Sequence, residues 1–387
     1  MLVDFHVSQR ATVGIEWELA LVDSESLELT AAAAPLLEAL HAGEDTPVRK
    51  EYLQNMIELV SSPHQRVADA VHDLVERLEE VRPLADAQHV NLMAAGCHPF
   101  SISAEQKTFD EPRYKEVVEL NQWWSHQLAI HGMHIHIGVE SKDHALPVVD
   151  ALATFYPFFL ALSASSPFWE GEDTGFASQR TMLYQQLPTN GLPWTLGDWS
   201  QFEALTEELY ECGMITEPKE IRWDVRPSPK FGTVENRTAD SVPTQAELGA
   251  IAALTQCVTE YIVRDLEGPH EYTFLEPWFV RENKWRAARY GVDAEVITKN
   301  RGQRLRPLRE HLAEWLERLS SIADDLGCSE ELAFAEQLAT RGPSYLRQRR
   351  TAGAGTTSAE SLRDVVRQLI AETGAPAPVW ESADGAA

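Results

Sequence analysis

The sequence has few cysteines and no long apolar run. Its four cysteines lie far apart, and none forms a CxxC motif. A disulfide framework or a thiolate zinc site is therefore poorly supported, and reduced thiols are expected. The longest apolar stretch, Ala151–Ala164, is too short to span a bilayer and contains Pro157. Because the first residues also lack an apolar core of signal-peptide length, the sequence predicts a cytoplasmic protein.

Positive charge is scarce. The 387 residues include 33 Lys and Arg against 60 Asp and Glu, a formal net charge of −27. Nucleic acids and anionic membranes bind basic surfaces, so we expect neither as a partner. Apolar residues make up 44% and charged residues 24% of the chain, which is typical of a globular protein.

The common signatures of phosphate and zinc sites are also missing. No GxxxxGK[ST], GxGxxG or HExxH motif occurs. An ATP site in this chain would therefore depend on metal ions and arginines, without a glycine-rich phosphate cradle.

What is present begins with Thr12–Asp23, which alternates strictly between two faces. Val13, Ile15, Trp17, Leu19 and Leu21 share one face of the predicted strand. The other face carries two carboxylates two positions apart, Glu16 and Glu18. Such a pair is often only a solvated outer face. It indicates a site for divalent cations if other segments supply similar groups.

Two further segments repeat this design. GMHIHIGVE places His134 and His136 on one face of a predicted strand. A hairpin-like unit, Ile221–Ser241, places Glu235 and Arg237 together in the same way. For the two histidines, the alternative is a pair of hydrogen-bonded or exposed imidazoles. For Glu235 and Arg237, the alternative is a salt-bridged surface.

The segment Lys50–Val60 carries two more glutamates, Glu51 and Glu58. Their spacing puts them on one face of a helix but on opposite faces of a regular strand. In extended chain, a bulge or kink would have to lie between them. Ser165–Pro193, which contains Arg180, is long and irregular, and is either functional or a surface excursion.

The candidate inward-facing groups are mostly carboxylates, and they are Glu16, Glu18, Glu51, Glu58, His136 and Glu235. This set is too large for one tetrahedral zinc and suits more than one Mg²⁺, with Mn²⁺ as an alternative. Several Mg²⁺ ions in one cleft most often accompany a nucleoside triphosphate. Fixed cations for phosphate or for a substrate carboxylate would come from Arg180, Arg222, Arg226 and Arg237.

The order of the predicted elements indicates the fold class. Polar-faced strands have short or helical connections, and the chain is mostly helical from Thr244 onward. This order predicts an α+β fold with a largely antiparallel sheet. We find no internal repeat and no clear linker, so we predict one domain at 1–373 and a flexible tail at 374–387.

Several segments carry a resemblance to a known family: GIEWELALVD, EYLQNMIEL, GCHPF, GMHIHIG, GFASQR, IRWDVRPSPKFGTVENR and ARYGV. Together, over about Asp4 to Glu372, they resemble the glutamate–cysteine ligase type 2 family, the carboxylate–amine ligases. The resemblance implies a curved, largely antiparallel sheet with helices on its outer side, similar to the catalytic domain of glutamine synthetases. It also implies ATP-dependent amide formation through an acyl phosphate, with weak γ-glutamylcysteine formation.

The same resemblance implies roles for individual residues. The metal positions would be Glu16, Glu18, Glu51, Glu58, His136 and Glu235. Arg237 and Glu235 would be catalytic, with Arg237 facing the phosphates. The candidates for binding substrate or ATP are Arg113, Arg180, Arg222 and Arg226. Cys97 stands where threonine is more often expected, a departure that concerns substrate preference rather than the fold.

The expected ligands are small molecules, namely ATP, an amino-acid carboxylate and an amine such as cysteine. A homodimer is the expected assembly. The main alternative function is a metal-dependent hydrolase that uses the same carboxylate-rich cleft without ATP. A non-catalytic binding protein would also explain the apolar faces, but it leaves the repeated inward charges uncompensated. The acid and the amine stay open.

Overall fold

A sheet of antiparallel strands lies at the centre of the protein. The computed structural model describes residues 3–43, 46–270, 272–300, 302, 304–353 and 357–380. The strands within these ranges are β1 (Val13–Asp23), β2 (Val48–Lys50), β3 (Met56–Val60), β4 (Val90–Met93), β5 (Gly132–Gly138), β6 (Phe168–Trp169), β7 (Glu172–Asp173), β8 (Val225–Ser228), β9 (Thr233–Asp240), β10 (Glu295–Ile297) and β11 (Leu305–Pro307).

Helices make up most of the remaining described chain. The α-helices are α1 (Ala33–Ala39), α2 (Val67–Asp86), α3 (Pro112–Asn121), α4 (Lys142–Ser163), α5 (Gln179–Tyr184), α6 (Trp199–Glu211), α7 (Gln245–Glu267), α8 (Pro277–Tyr290), α9 (Leu308–Leu326), α10 (Ser329–Arg341), α11 (Ser344–Ala352) and α12 (Ala359–Glu372). Short 3₁₀ helices cover Ser103–Glu105, Gln122–Gln127, Pro218–Glu220 and Gly291–Asp293.

The main sheet has the order β2–β3–β1–β5–β9–β8, and β4 pairs with the end of β1. Every pairing in it is antiparallel. The predicted α+β fold with a largely antiparallel sheet is therefore confirmed. β1 is the central strand, because β3 lies on one side of it while β5 and β4 follow each other along the other.

The apolar face of the sheet is covered by helices. Ile15, Trp17 and Leu19 of β1 are completely buried, as the alternation of the sequence predicts. Helices α2, α4 and α7 pack against the sheet on this side. Each large side chain buried in this way stabilises the fold by about 1.5–3 kcal/mol. Trp17 also donates its indole N–H to the Val242 carbonyl at 3.0 Å, so its polar atom is satisfied.

The segment that carries Glu51 and Glu58 forms a hairpin. β2 and β3 are antiparallel, with Arg49 opposite Glu58, and the chain reverses at residues 51–55. Glu51 therefore lies just beyond β2, in the reversal, while Glu58 lies within β3. The reversal is the interruption that an extended chain needs if both glutamates are to face the same site.

The hairpin-like unit predicted at Ile221–Ser241 contains β8 and β9, joined by a tight turn. Gly232 in this turn has φ +65°, and a Cβ there would lie 2.0 Å from the His6 carbonyl oxygen. His6 in turn donates its backbone N–H to the Pro229 carbonyl at 2.9 Å. The turn therefore holds the N-terminal segment against the edge of the sheet.

Helix α4 is long and apolar enough, by length and composition, to cross a membrane. Its most apolar window has a mean hydropathy of 1.7, and 83% of that window is buried inside the protein. Burial of this extent is that of a core helix. The cytoplasmic location stays a prediction.

The first part of the segment predicted as a flexible tail is packed. The carbonyls of Ala375 and Pro376 accept the backbone N–H groups of Gln245 and Ala246 at 2.9 and 3.0 Å. The first N–H groups of a helix have no partner within the helix, and these carbonyls supply one for α7. The expected boundary at 373 is therefore too early, while residues 381–387 lie outside the described part of the chain. The single catalytic domain stays a prediction.

Candidate active site

The inner face of the sheet brings together the charged residues of β1, β3 and β5. Glu18 of β1 lies opposite Glu58 of β3. Glu16 of β1 lies opposite His134 of β5. Because side chains alternate along a strand, the apolar packing of β1 forces both of its glutamates onto this second face.

The same face continues across β9 and β8. His136 of β5 lies opposite Glu235 of β9, which in turn lies opposite Arg226 of β8. The register of β5 and β9 shifts between Met133 and Ile135. The result is a row of alternating charge at the end of the cluster away from Glu58.

A cleft of about 840 Å³ lies over this face. Its charged wall contains all six predicted metal ligands. Elsewhere its lining is less polar and includes Leu128, Ile130 and Leu187. The cleft thus joins a strongly charged region to an apolar one, as a site for metal ions and organic substrates requires.

Three groups of side chains in this wall have the spacing of metal ligands. They are Glu16, His136 and Glu235; Glu16, Glu58 and His134; and Glu18, Glu51 and Glu58. Within each group the ligand atoms all lie within 4.8 Å of one another. The structure therefore gathers all six predicted metal residues at one site. Carboxylate oxygens with an occasional imidazole form a donor set that Mg²⁺ or Mn²⁺ accepts.

His134 belongs to this cluster, although it was not among the predicted ligands. Its Nδ1 lies 3.0 Å from Glu16 Oε2, and its Nε2 lies 3.8 Å from Glu18 Oε1. Burial, and next the neighbouring Arg237, lower the pKa of His134, so its imidazole is neutral. Two lone pairs would repel at 3.0 Å, so Nδ1 carries the proton and donates it to Glu16.

The other ring nitrogen of His134 is then an unused acceptor. His134 is only 3% exposed, and its Nε2 has no hydrogen-bond partner among the described residues. An imidazole that donates one N–H to a carboxylate and keeps the other nitrogen free has the arrangement of a metal ligand. The signal was present in the sequence, because His134 shares its face with His136.

The pKa of His136 shifts in the opposite direction to that of His134, although the two imidazoles have similar surroundings. Burial alone would lower its pKa, but Glu235 and Glu16 outweigh that effect and raise it. Its Nε2 lies 3.5 Å from Glu16 Oε1 and 3.9 Å from Glu235 Oε2. The imidazole is therefore aimed between two carboxylates, where a divalent cation would replace its proton.

The pKa values of Glu51 and Glu58 are raised because several buried carboxylates lie close together without a cation. Burial, followed by repulsion from Glu18 and Glu16, raises the pKa of Glu51 to about 8. Burial and the same neighbours raise the pKa of Glu58 well above its usual range. Buried like charges of this kind are relieved by a cation placed between them. The residues present therefore fit a divalent metal ion.

This charge arrangement predicts how the metal-free protein responds to pH. Folding raises the pKa of Glu51 from 4.5 to about 8, so the folded state holds the extra proton across that interval. The contribution of Glu51 to stability is then lost as pH rises from about 4.5 to 8 and changes little above that interval. We expect the melting temperature in EDTA to drop by several degrees over this range, and Mn²⁺ to restore it most at the alkaline end.

Calorimetry of the wild type and of a Glu51→Gln variant checks this prediction. Asp150, whose pKa is raised by burial alone, contributes equally in both proteins, so the difference between the two curves reports Glu51 together with its repulsion of Glu58. The variant should melt higher at pH 8 in EDTA and show a flatter pH profile. Parallel curves for the two proteins would contradict the assignment.

Arginines flank Glu235 on both sides. Arg226 Nε donates to Glu235 Oε2 at 2.7 Å, and Arg237 Nη1 donates to Glu235 Oε1. Burial would raise the pKa of Glu235, but these two guanidinium groups outweigh it and hold the pKa far below its usual range. Glu235 is therefore an anion at any working pH and fixes both arginines beside the carboxylate cluster.

The other candidate arginines lie in different surroundings. Arg180 lines the cleft, is only 3% exposed, and has no hydrogen-bond partner for its Nε among the described residues. A Cβ at Gly132 would lie 2.1 Å from Arg180 Nη2, so any other residue there would displace the Arg180 guanidinium. Arg222 also lines the cleft. The side chain of Arg113 lies outside the described part of the structure.

Cys97 lies behind the cleft wall. It is 1% exposed and packs with Ile130 and Leu183. Burial and the nearby Asp240 raise the pKa of its thiol, so it stays protonated. Any influence of this cysteine on substrate preference would therefore pass through the residues in front of it.

The comparison with known families shows to which family the chain belongs. Residues 12–368 match the sequence model of glutamate-cysteine ligase family 2. The chain belongs to this family. The prediction made from the motifs is thus confirmed, and the protein is an ATP-dependent ligase that forms carbon–nitrogen bonds.

Relatives of the same length support the family membership. A protein of Leifsonia xyli, provisionally named glutamate–cysteine ligase 2, is 46% identical over 373 residues, covering 96% of this chain and 98% of its own. One from Arthrobacter sp., provisionally named glutamate–cysteine ligase 2-1, is 43% identical over 378 residues, with 96% and 98% coverage. The hydrolase alternative finds no support in these relatives.

Solved structures of low sequence identity share the fold. A glutamate–cysteine ligase from Francisella tularensis, solved with AMP, has a TM-score of 0.66 at 11% identity, covering 95% of this chain and 90% of that one. A bifunctional glutathione synthetase from Pasteurella multocida has a TM-score of 0.67 at 14% identity over 93% of this chain. This chain spans 52% of that larger protein.

Proposed function

We propose that this member of glutamate-cysteine ligase family 2 joins a substrate carboxylate to an amine through an acyl phosphate, with weak glutamate–cysteine ligation among its activities. The observation that carries the proposal is that the three ligand groups share Glu16 and Glu58 and therefore form one continuous cluster. At one end of this cluster, Glu235 holds Arg237. Such an arrangement suits the handling of a triphosphate, because it can neutralise both the phosphates and the charge that develops during transfer.

The carboxylates would hold Mg²⁺, with Mn²⁺ as the alternative. Glu16, His136 and Glu235 form one ligand group, and Glu18, Glu51 and Glu58 form another. When bound, the cations would supply positive charge that neutralises the transferred phosphoryl group. The free Nε2 of His134 and the raised pKa values of Glu51 and Glu58 support the fit.

The reaction has two steps, and neither requires a nucleophile from the protein. In the first, a carboxylate oxygen of the acid attacks the γ-phosphorus of ATP, and ADP leaves. In the second, the amine attacks the acyl carbon, loses a proton, and phosphate leaves. The protein positions the reactants and stabilises charge, with Arg237 and Glu235 as the catalytic pair.

The other cleft arginines would bind the anionic ends of the substrates. Arg226 lies beside Glu235 at the charged end, whereas Arg180 lies deep in the wall. Arg222 also faces the cleft, and Arg113 is proposed from the sequence alone. The expected ligands are ATP, an amino-acid carboxylate and an amine such as cysteine. The homodimer stays a prediction.

A screen of amino-acid pairs with Mg-ATP tests this function. We expect ADP release only when an acid and an amine are both present, with an amide product of matching mass. If the acid is labelled with ¹⁸O in its reacting carboxylate, one labelled oxygen should appear in the released phosphate. Reactions that lack the acid, the amine or the metal serve as controls.

Two outcomes would contradict the proposal. ADP release that requires neither the acid nor the amine would indicate a simple ATPase. Amide formation without ¹⁸O in the phosphate would exclude the acyl phosphate, because that intermediate transfers its bridging oxygen to phosphate.

A further inference from the structure

Tyr184, the last residue of α5, connects two of the arginines in the cleft. Its hydroxyl oxygen accepts the Arg237 Nε–H at 3.2 Å and donates its own proton to the Arg222 backbone carbonyl at 2.9 Å. The phenol hydroxyl thus accepts one hydrogen bond and donates another. The hydroxyl is therefore anchored to the backbone, and Arg237 is anchored to the hydroxyl.

The ring of Tyr184 contacts a second guanidinium. Arg180 Cζ lies 5.6 Å from the ring centre, and Arg237 Cζ lies 6.0 Å from it. Both distances are within the range of cation–π attraction. The Nε of Arg180 lacks a hydrogen-bond partner among the described residues, so the ring is one of the groups that fix the position of this guanidinium. Tyr184 thus contacts both guanidinium groups.

The two arginines face different parts of the cleft. Arg237 is bound to Glu235 and lies 3.4 Å, Nη1 to Nδ1, from His134 in the metal cluster. Arg180 instead lies against Gly132 and the Tyr184 ring. Arg237 would therefore face the transferred phosphoryl group, whereas Arg180 would bind an anionic end of the acid.

We propose that Tyr184 is a positioning residue that sets the geometry of Arg237 through its hydroxyl and of Arg180 through its ring. The inference rests on the proposed ligase function and adds to it a residue that orients two of the cleft arginines. The hydroxyl serves turnover, because it orients the arginine that faces the transferred phosphoryl group. The ring serves binding of the acid.

Two substitutions separate these roles. Tyr184→Phe keeps the ring and removes the hydroxyl, so kcat should fall about 10- to 100-fold, the usual loss for one hydrogen bond to a charged group. The KM for the acid should stay within about twofold, since the cation–π contact is retained. Tyr184→Leu removes both features, and the KM for the acid should then rise about fivefold as well. Tyr210→Phe, at a side chain 54% exposed on α6, is the control.

Crystal structures of the wild type and of Tyr184→Phe provide a readout that does not depend on turnover. We expect the Arg237 guanidinium to rotate away from its wild-type position in the variant. An unmoved Arg237, an unchanged kcat, or an equal rise in KM in the phenylalanine variant would each overturn the proposal. If the wild type releases no ADP with any pair, the ligase function fails, and the position of Arg237 in the two structures still decides the role of Tyr184.

Discussion

Replacing Glu16 by glutamine is expected to lower kcat by about 100- to 1,000-fold, a loss typical of removing a central charge-stabilising group. Glu16 contributes a ligand atom to two of the three ligand groups of the described chain. Its two oxygens lie near different imidazoles, at 3.0 Å from His134 and 3.5 Å from His136. Glutamine keeps the shape but offers one neutral oxygen, so neither group keeps its charge.

The fold should survive this change. The pKa of Glu16 lies well below its usual range because His136 and His134 outweigh the effect of burial. Glutamine loses that attraction, but it also removes the repulsion that Glu16 exerts on Glu51 and Glu58. These effects oppose each other, so we expect a small change in melting temperature.

ADP release and Mn²⁺ titration calorimetry measure the two consequences. Glu38→Gln, at an exposed position of α1, is the matched control and should behave as the wild type. Glu16→Gln should bind Mn²⁺ more weakly and turn over slowly. Near-normal activity with intact Mn²⁺ binding would show that Glu16 is not a ligand.

Strand identity could be predicted well from the sequence, because one face of each central strand is apolar and the other charged. The expected strand at Thr12–Asp23 is β1 at Val13–Asp23, and the expected run at Gly132–Glu140 is β5 at Gly132–Gly138. A period of two residues is a local property, and burial enforces it. The choice of residues that face the cleft follows from it directly.

Which strands become neighbours could not be predicted in the same way. His136 meets Glu235 only because β5 pairs with β9 in one particular register. That pairing depends on hydrogen bonds between segments far apart in the chain, which no local pattern specifies. The repeated design of the strands and the family resemblance both assigned these two residues to one site, but neither specified that they lie opposite each other.

Apart from His134, the residues that were missed lie where the sequence has no periodic signal. Tyr184 ends a six-residue helix inside the segment interpreted as irregular. Its role depends on Arg180 and Arg237, which come from different elements. Ala375 and Pro376 lie in a small-residue stretch that resembles a tail, yet their carbonyls cap α7. Capping by a distant segment is a tertiary contact that composition does not reveal.

Replacing Arg237 by lysine is expected to lower kcat by about 1,000-fold or more, the range seen when an arginine that faces a transferred phosphoryl group is lost. Arg237 binds Glu235 through Nη1 and Tyr184 through Nε. Lysine keeps the positive charge but has a single nitrogen, so it cannot hold both partners and still present a planar donor pair to phosphate. The loss should appear in kcat rather than in the KM for the acid.

Neighbouring arginines make this prediction specific. Arg226→Lys replaces the other guanidinium that binds Glu235 with an ammonium group. Arg226 also binds the carbonyls of Lys219 and Ile221, so a smaller loss is expected. Arg367→Lys, at a side chain 51% exposed on α12, should leave ADP release unchanged. Adding guanidinium to an Arg237→Ala variant should restore part of the rate, because the missing group is planar and bidentate. If Arg237→Lys folds normally and keeps kcat within about tenfold of the wild type, Arg237 does not contact the transferred phosphoryl group, since the expected loss is far larger.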